Sequence, residues 1–305
     1  ARALRKPIRW FSIPQLFRYE RMQRGRLREH FQWNVDIVGE EGVAADAEVL
    51  AVALDALRYL GLGAQDVVAR VSDRRVLDRV LTHEGIRTEQ LPAVYAIIDK
   101  LGREDEAQIR DRLRTEAGLR PGAIDRLFGV FEHRTLDALR EAYGRVEGVA
   151  AELDRLTDYL RMVEELGFGE FVAFDPSIVR GLAYYTGIVF EIFDRRGELR
   201  AVCGGGRYDG LLRAVSDVDL PAAGFGMGDV VLAELLRERG LLPAATPRVD
   251  YFLVAVTAAE RPLVRRLAHA RGAAGYSVIY GLRDAPFGRQ FREADARGAA
   301  HAVVI

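Results

Sequence analysis

Between residues 30 and 38 the segment HFQWNVDIV alternates without a break. Phe31, Trp33, Val35 and Ile37 fall on one side; His30, Gln32, Asn34 and Asp36 fall on the other. A period of two predicts a β-strand with one face in a core. Residues 8–20, IRWFSIPQLFRYE, predict an earlier strand that Pro14 interrupts as an edge or bulge position. The basic stretch 21–29, centred on Gly25, predicts a loop joining the two strands as an antiparallel pair. Pairing symmetric about Gly25 puts the even-numbered residues of both strands on one face. Arg18, Glu20, Gln32 and Asp36 then line one polar surface.

The period changes after that. Val49, Val52, Ala53, Ala56, Leu57 and Leu60 form a helical stripe over residues 45–60, and Gly61 ends it. A strand is predicted over 67–72 and a helix over 73–82. Residues 85–165 are almost entirely charged amphipathic helix, which predicts a helical insert whose last helix leads back to the sheet. Strands follow over 171–175, 186–193 and 199–203, the last ending at Gly204-Gly205-Gly206. Residues 222–240 run from a glycine-rich strand into a helix, and 241–249 read as a linker. Strands over 250–256, 276–280 and 301–305 alternate with helices over 258–271 and 288–297, predicting a small α/β unit with a parallel sheet.

Composition narrows the classes. With 305 residues, about two domains are expected, large enough to build cores without staples. Apolar residues make up 49% and charged residues 29%, which excludes a disordered chain, a collagen and a coiled-coil rod. No apolar run reaches the roughly 18 residues of a membrane span. Cys203 is the only cysteine, which excludes an internal disulfide or a multi-cysteine zinc site and fits a reducing, cytoplasmic setting. The formal charge of −1 argues against a general basic coat for nucleic acid, though a local patch is compatible with it.

Candidate chemistry sits in four stretches. The first is Phe17-Arg18-Tyr19-Glu20 with the arginine-rich loop and Gln32 to Asp36; an arginine fork suits a pair of phosphate oxygens, and a solvated hairpin face is the plainer alternative. The second is VRGLAYYTG at 179–187, where Arg180 must reach solvent or meet an anion. The third is CGGGRYDG at 203–210, a turn or a place where backbone approaches a ligand. The fourth is GFGMG at 224–228, opening into a helix. Neither a dinucleotide-binding GxGxxG, a P-loop nor an HExxH zinc motif is present. The five histidines are scattered and form no Ser-His-Asp signature.

In this order the four stretches resemble class II aminoacyl-tRNA synthetases, and the histidyl-tRNA synthetase family in particular. FRYERMQRGRLREHFQWNVDI is similar to the second class motif, VRGLAYYTGIVFE and CGGGRYDGL to the histidine-specific signatures, and AAGFGMG to the third class motif. The resemblance covers essentially the whole chain. It implies an α/β fold: a class II catalytic domain of antiparallel sheet with flanking helices in residues 1–84 and 156–243, a helical insertion over 85–155, and an anticodon-binding α/β domain over 248–305. It implies ATP as substrate, with Mg²⁺ accompanying it and no protein metal site, together with histidine, tRNA(His), a homodimer and a cytoplasmic location.

The resemblance also implies roles. Arg18 is a catalytic arginine at the α-phosphate, and Arg180 a second one that faces both the phosphate and the carboxylate of bound histidine; Glu20, Arg26 and His30 complete the ATP site. Gln32 meets the amino and carboxylate end of histidine. Asp36, Tyr184 and Tyr185 surround the imidazole, and Gly205, within Gly204 to Gly206, lets the backbone close over the amino acid. Three departures stand out. His30 takes the usual place of a phenylalanine, Ala183 that of an aspartate, and Val230-Val231 that of the Glu-Arg pair whose arginine clamps ATP. Either another arginine, Arg207 or one in the loop, substitutes for it, or ATP binding is weak. The chain is expected to start after the family's first motif, with its dimer interface and histidine-gripping loop, and to stop inside the last domain. A histidine-binding regulatory paralogue partnering ATP phosphoribosyltransferase is the alternative implied, and a binding-only sensor a third.

Overall fold

The computed structural model describes residues 4–19, 25, 27–102, 104–197, 199–242 and 249–305. The chain divides into two units, 1–242 and 243–305. The first is built on an eight-stranded sheet. Its strands are β1 (Ile8–Ser12), β2 (Gln15–Phe17), β3 (Glu29–Val38), β4 (Val67–Asp73), β5 (Val172–Phe174), β6 (Ile188–Asp194), β7 (Cys203–Arg207) and β8 (Ala222–Gly228). The order is β1-β3-β8-β7-β6-β4-β5, with β2 also paired to β3. Every pairing is antiparallel except β4 with β5.

The expected first strand is split at Ile13 and Pro14, yet β1 and β2 keep one register on β3: Ile8 opposes Val38 and Leu16 opposes His30. That register is centred on position 23 rather than Gly25. An offset of two residues preserves the face assignment, because side chains alternate with a period of two. The odd-numbered side of β3 packs into the core, where Ile37 is buried and Trp33 meets the Phe225 ring edge-on at 5.1 Å. Helix α1 (Val43–Tyr59) closes that core with Leu50, Leu54 and Leu57.

The largest correction concerns the triple glycine. It does not follow a strand; it is the strand β7, buried along its whole length between β6 and β8. A side chain is excluded there by its neighbours: a Cβ on Gly205 would lie 2.4 Å from the Gly224 carbonyl oxygen and 2.7 Å from Phe225 Cβ. Glycine's usual association with turns is overridden by close packing of backbone in the middle of a sheet.

The helical segment comprises α2 (Arg74–His83), α3 (Leu91–Ile98), α4 (Glu106–Thr115), α5 (Pro121–Phe131), α6 (Leu136–Tyr143) and α7 (Val149–Glu165). Its core joins Val76, Leu77 and Val80 of α2 to Ile109, Leu127 and Leu139. Helix α7 serves two cores: Val149 and Leu153 face the helical one, while Leu156, Tyr159 and Val163 face the sheet. Helices α8 (Leu211–Val215) and α9 (Asp229–Glu238) complete this unit.

The second unit contains β9 (Val249–Val254), α10 (Arg261–Ala273), β10 (Val278–Tyr280), α11 (Phe287–Ala296) and β11 (Ala299–Val304). Its three strands are parallel in the order β10-β9-β11, and Phe252, Val254 and Ala294 form its core.

Candidate active site

Register across the sheet decides which residues share the face opposite α1. Gln32, Asn34 and Asp36 of β3 oppose Gly228, Gly226 and Gly224 of β8. Gly226 opposes Gly204, Gly204 opposes Glu191, and Glu191 opposes Arg70. In β8 glycines on this face alternate with Ala223, Phe225 and Met227 on the core side, a period of two within GFGMG. The missing side chains make room. A Cβ on Gly224 would sit 2.3 Å from Asp36 Oδ1, and one on Gly226 would sit 2.6 Å from Gln32 Nε2.

A cleft of about 290 Å³ opens over this floor. Arg18, His30, Gln32, Arg180, Glu191 and Arg200 line it, with Gly204, Gly226, Val230 and Val231. The Arg18 side chain is oriented by Nε, which donates to the Leu27 carbonyl at 2.8 Å, and its backbone N–H donates to the Arg28 carbonyl at 2.8 Å. Burial, reinforced by Arg18, lowers the His30 imidazole below its ordinary pKa, with Asp229 opposing, so the ring is neutral at pH 7. Its buried Nδ1 meets no hydrogen-bond partner among the described residues.

Arg180 is the one described non-glycine residue in the left-handed region, at φ +53°. Its Nη1 donates to the carboxylate of Glu191, and both side chains are largely buried. Burial works against the guanidinium's charge, but Tyr185 and Glu191 outweigh it and raise the pKa, so the group stays cationic. Gly204 gives it space: a Cβ there would fall 2.1 Å from Nη1.

Farther along β3, Asp36 accepts a hydrogen bond from the Tyr208 hydroxyl. Burial pushes the Asp36 carboxyl above the usual aspartate range, and the Tyr208 bond opposes that rise. Tyr208 packs edge-on against Tyr184 at 5.8 Å and Tyr185 at 6.3 Å. Three tyrosines and one carboxylate therefore form the wall beyond Gly224. Tyr208 and Glu191 stand inside the quoted signatures without having been singled out; their alternation on β6 and after β7 is the signal that could have found them.

Two expectations change. Gly205 opposes Phe225 on the core side, so Gly204 is the glycine on the cleft side. Arg207 is fully buried and cannot clamp a ligand: Nη2 donates to Asp46 at 2.7 Å, and Nη1 donates to the Glu40 carbonyl at 3.0 Å and to Asp209 at 3.1 Å. Glu20 and Arg26, with loop arginines 21 and 24, lie outside the described residues.

Residues 1–229 match the family model described as histidyl-tRNA synthetase. The chain belongs to the histidyl-tRNA synthetase family. It is 40% identical over 299 residues to the chloroplastic/mitochondrial histidine–tRNA ligase of Arabidopsis thaliana, matching 98% of this chain and 61% of that protein. It is 39% identical over 306 residues to the histidine–tRNA ligase of Opitutus terrae, matching 100% of this chain and 70% of that one. The fold matches the crystal structure of histidyl-tRNA synthetase from Nostoc sp. PCC 7120 with a TM-score of 0.77 at 24% identity, over 98% of this chain and 70% of that chain. An ATP phosphoribosyltransferase regulatory subunit/histidyl-tRNA synthetase from Bacillus halodurans matches with a TM-score of 0.73 at 22% identity, over 99% of this chain and 74% of that chain. The chain thus spans less than two thirds of the Arabidopsis relative.

Within this family of ligases the chain keeps a mixed α/β architecture on a mostly antiparallel sheet. At the start of α9, Val230 and Val231 present apolar surface to the cleft, and Val231 Cγ2 would lie 3.2 Å from a Cβ on Gly25. Among the described residues, no cluster of three or more His, Cys, Asp or Glu could hold a metal ion, and no helix is long and apolar enough to cross a membrane.

Proposed function

We propose that the protein is a histidine–tRNA ligase, which activates histidine with ATP and transfers it to tRNA(His). One observation carries the reading: Arg18, His30, Gln32 and Arg180 line one cleft over a single sheet face, with Asp36 farther along β3 and bonded to Tyr208, which packs on Tyr184 and Tyr185.

In the proposed reaction a carboxylate oxygen of histidine attacks the α-phosphorus of ATP in line. The bond to the bridging oxygen breaks, pyrophosphate leaves and histidyl-adenylate remains. Catalysis of this kind rests on alignment and on cations fixed where negative charge spreads. Arg18 and Arg180 supply those cations. Glu20, Arg26 and His30 hold the nucleotide, a neutral imidazole being suited to stacking on adenine. Gln32 binds the amino and carboxylate end of histidine. Asp36 accepts an imidazole N–H, with Tyr184 and Tyr185 packed around the ring. An unfilled acceptor at Asp36 would penalise analogues lacking that N–H. Mg²⁺ belongs to the ATP complex as substrate; among the described residues the one carboxylate lining the cleft, Glu191, is committed to Arg180. Residues 248–305 take the anticodon-binding role, and the working enzyme is a cytoplasmic homodimer.

Histidine-dependent ATP–pyrophosphate exchange by the full-length protein tests this. Exchange with histidine and with no other amino acid supports it. A second reading, the histidine-binding regulatory paralogue, draws on Val230 and Val231 in the cleft wall. Histidine binding by calorimetry without any exchange would select that reading instead.

A further inference from the structure

The backbone of Arg180 adopts a left-handed conformation that residues with side chains avoid. Such a conformation persists where surrounding contacts impose it. Two residues from the helical segment do so. Arg74, at the start of α2, donates from Nε to the Val179 carbonyl at 2.8 Å. Its Nη2 donates to the Arg180 carbonyl at 2.6 Å and to the Leu182 carbonyl at 3.3 Å. Asp99, just beyond α3, accepts from the Gly181 N–H at 2.7 Å. The peptides on both sides of the Arg180 α-carbon are therefore tied down.

Each tie is supported in turn. Arg74 is buried, and its guanidinium lies 3.9 Å from the centre of the Tyr95 ring. Tyr95 belongs to α3, and its hydroxyl donates to Asp78 on α2. Gly181 permits the close approach of Asp99, since a Cβ there would lie 3.0 Å from Asp99 Cγ. On its other side Arg180 meets the sheet through Glu191 and Gly204. The residue is thus held between the sheet and the packed pair α2–α3.

We propose that Arg74 and Asp99 are positioning residues: they hold Arg180 in its left-handed conformation with the guanidinium at the cleft, so the packing of α2 and α3 governs adenylate formation. The inference rests on the ligase reading above. Rotation at Arg180 would carry the guanidinium away from Glu191, and a misplacement of about 1 Å can lower a rate roughly 100-fold.

The test uses the full-length protein. Asp99→Ala is expected to lower kcat for histidine-dependent pyrophosphate exchange by about 10- to 100-fold, with KM for ATP and histidine changed less than about threefold. Asp99→Asn keeps an acceptor oxygen for Gly181 and should restore kcat to within about threefold of wild type. In an Arg180→Ala background, Asp99→Ala should cost less than about twofold more, because it acts through Arg180. Thermal melts of every variant separate folding from positioning. Wild-type kcat in Asp99→Ala, or the same fold-loss in both backgrounds, overturns the proposal. If the wild-type protein shows no exchange, the ligase reading fails, and affinity for a non-hydrolysable histidyl-adenylate analogue becomes the readout. Asp99→Ala must then weaken the analogue without weakening histidine; equal affinities overturn the positioning role.

Discussion

Gly204→Ala is the smallest change that separates folding from chemistry at this site. The new Cβ would lie 2.1 Å from Arg180 Nη1, 2.6 Å from Cζ and 3.0 Å from Nη2, where ordinary contact begins at 3.4 Å. The guanidinium must therefore retreat by more than about 1 Å. Gly204 itself has no left-handed backbone, so alanine is conformationally acceptable and lowers the entropy of the unfolded chain, a gain of about 0.4–1 kcal/mol. Against that stands partial loss of the Arg180–Glu191 bond, worth about 1.5–3 kcal/mol for a charged pair. Net destabilisation should stay near about 1–2 kcal/mol, a modest shift in a urea midpoint. Activity should suffer more: displacement by about 1 Å corresponds to roughly 100-fold in rate, or about 2.7 kcal/mol of barrier. Pyrophosphate exchange at saturating histidine, compared with urea unfolding of the same preparation, is the assay. A folded Gly204→Ala protein with kcat within a few-fold of wild type would refute the geometry argued for Arg180.

Three further outcomes follow from other contacts. Tyr208→Phe removes the hydrogen bond that opposes the raised pKa of Asp36; histidine affinity should fall about tenfold, as expected for about 1.5 kcal/mol, and binding should be lost at a higher pH than in wild type as pH falls, both measurable by calorimetry. Arg207→Ala strands the buried Asp46 carboxylate and should cost about 3–5 kcal/mol in urea unfolding, with KM for ATP unchanged where the protein remains folded. Burial raises the Asp73 carboxyl to about 6, against the pull of Arg155. That group's contribution to stability is complete below about pH 4 and disappears as pH rises through about 6, a change of about 3 kcal/mol. Unfolding of Asp73→Asn should lack this fall between about pH 4 and 6, and an unaltered wild-type slope would show that Asp73 is not its source.

What could be read beforehand was what local period encodes. The alternation from His30 to Ile37 assigns strand, face and core at once, and a two-residue error in the turn centre left the face intact. The α/β alternation after residue 249 likewise carried over as a parallel sheet. The triple glycine misled because glycine has two opposite uses, freeing a turn and thinning a strand, and only the neighbours decide between them. Here the neighbours are the Gly224 carbonyl and Phe225, on β8, outside any local window around the glycines. Arg207 shows the same limit: its partner Asp46 is 161 positions away, so no local pattern distinguishes a buried structural arginine from a ligand clamp. Arg74 and Asp99 carry no motif at all. Their role arises from where α2 and α3 pack.

The charge in the cleft bears on the choice between ligase and regulatory subunit. Among the described residues, the lining contains three arginines and one glutamate. Glu191 is spent on Arg180, which remains cationic, and His30 is neutral at pH 7. Free histidine at that pH is close to a zwitterion, so its ammonium would meet the same excess positive charge that attracts its carboxylate. A pocket meant for histidine alone has little use for several guanidinium groups held close together, because like charges in a confined, partly dry site repel one another. A polyphosphate removes the repulsion and gains from the focused field. Val230 and Val231 of α9 add no charge to the lining, whereas Arg18, Arg180 and Arg200 do. The balance therefore favours a site that takes a nucleotide beside the amino acid, with the cations supplied by the hairpin and by the segments before β6 and β7 rather than by α9.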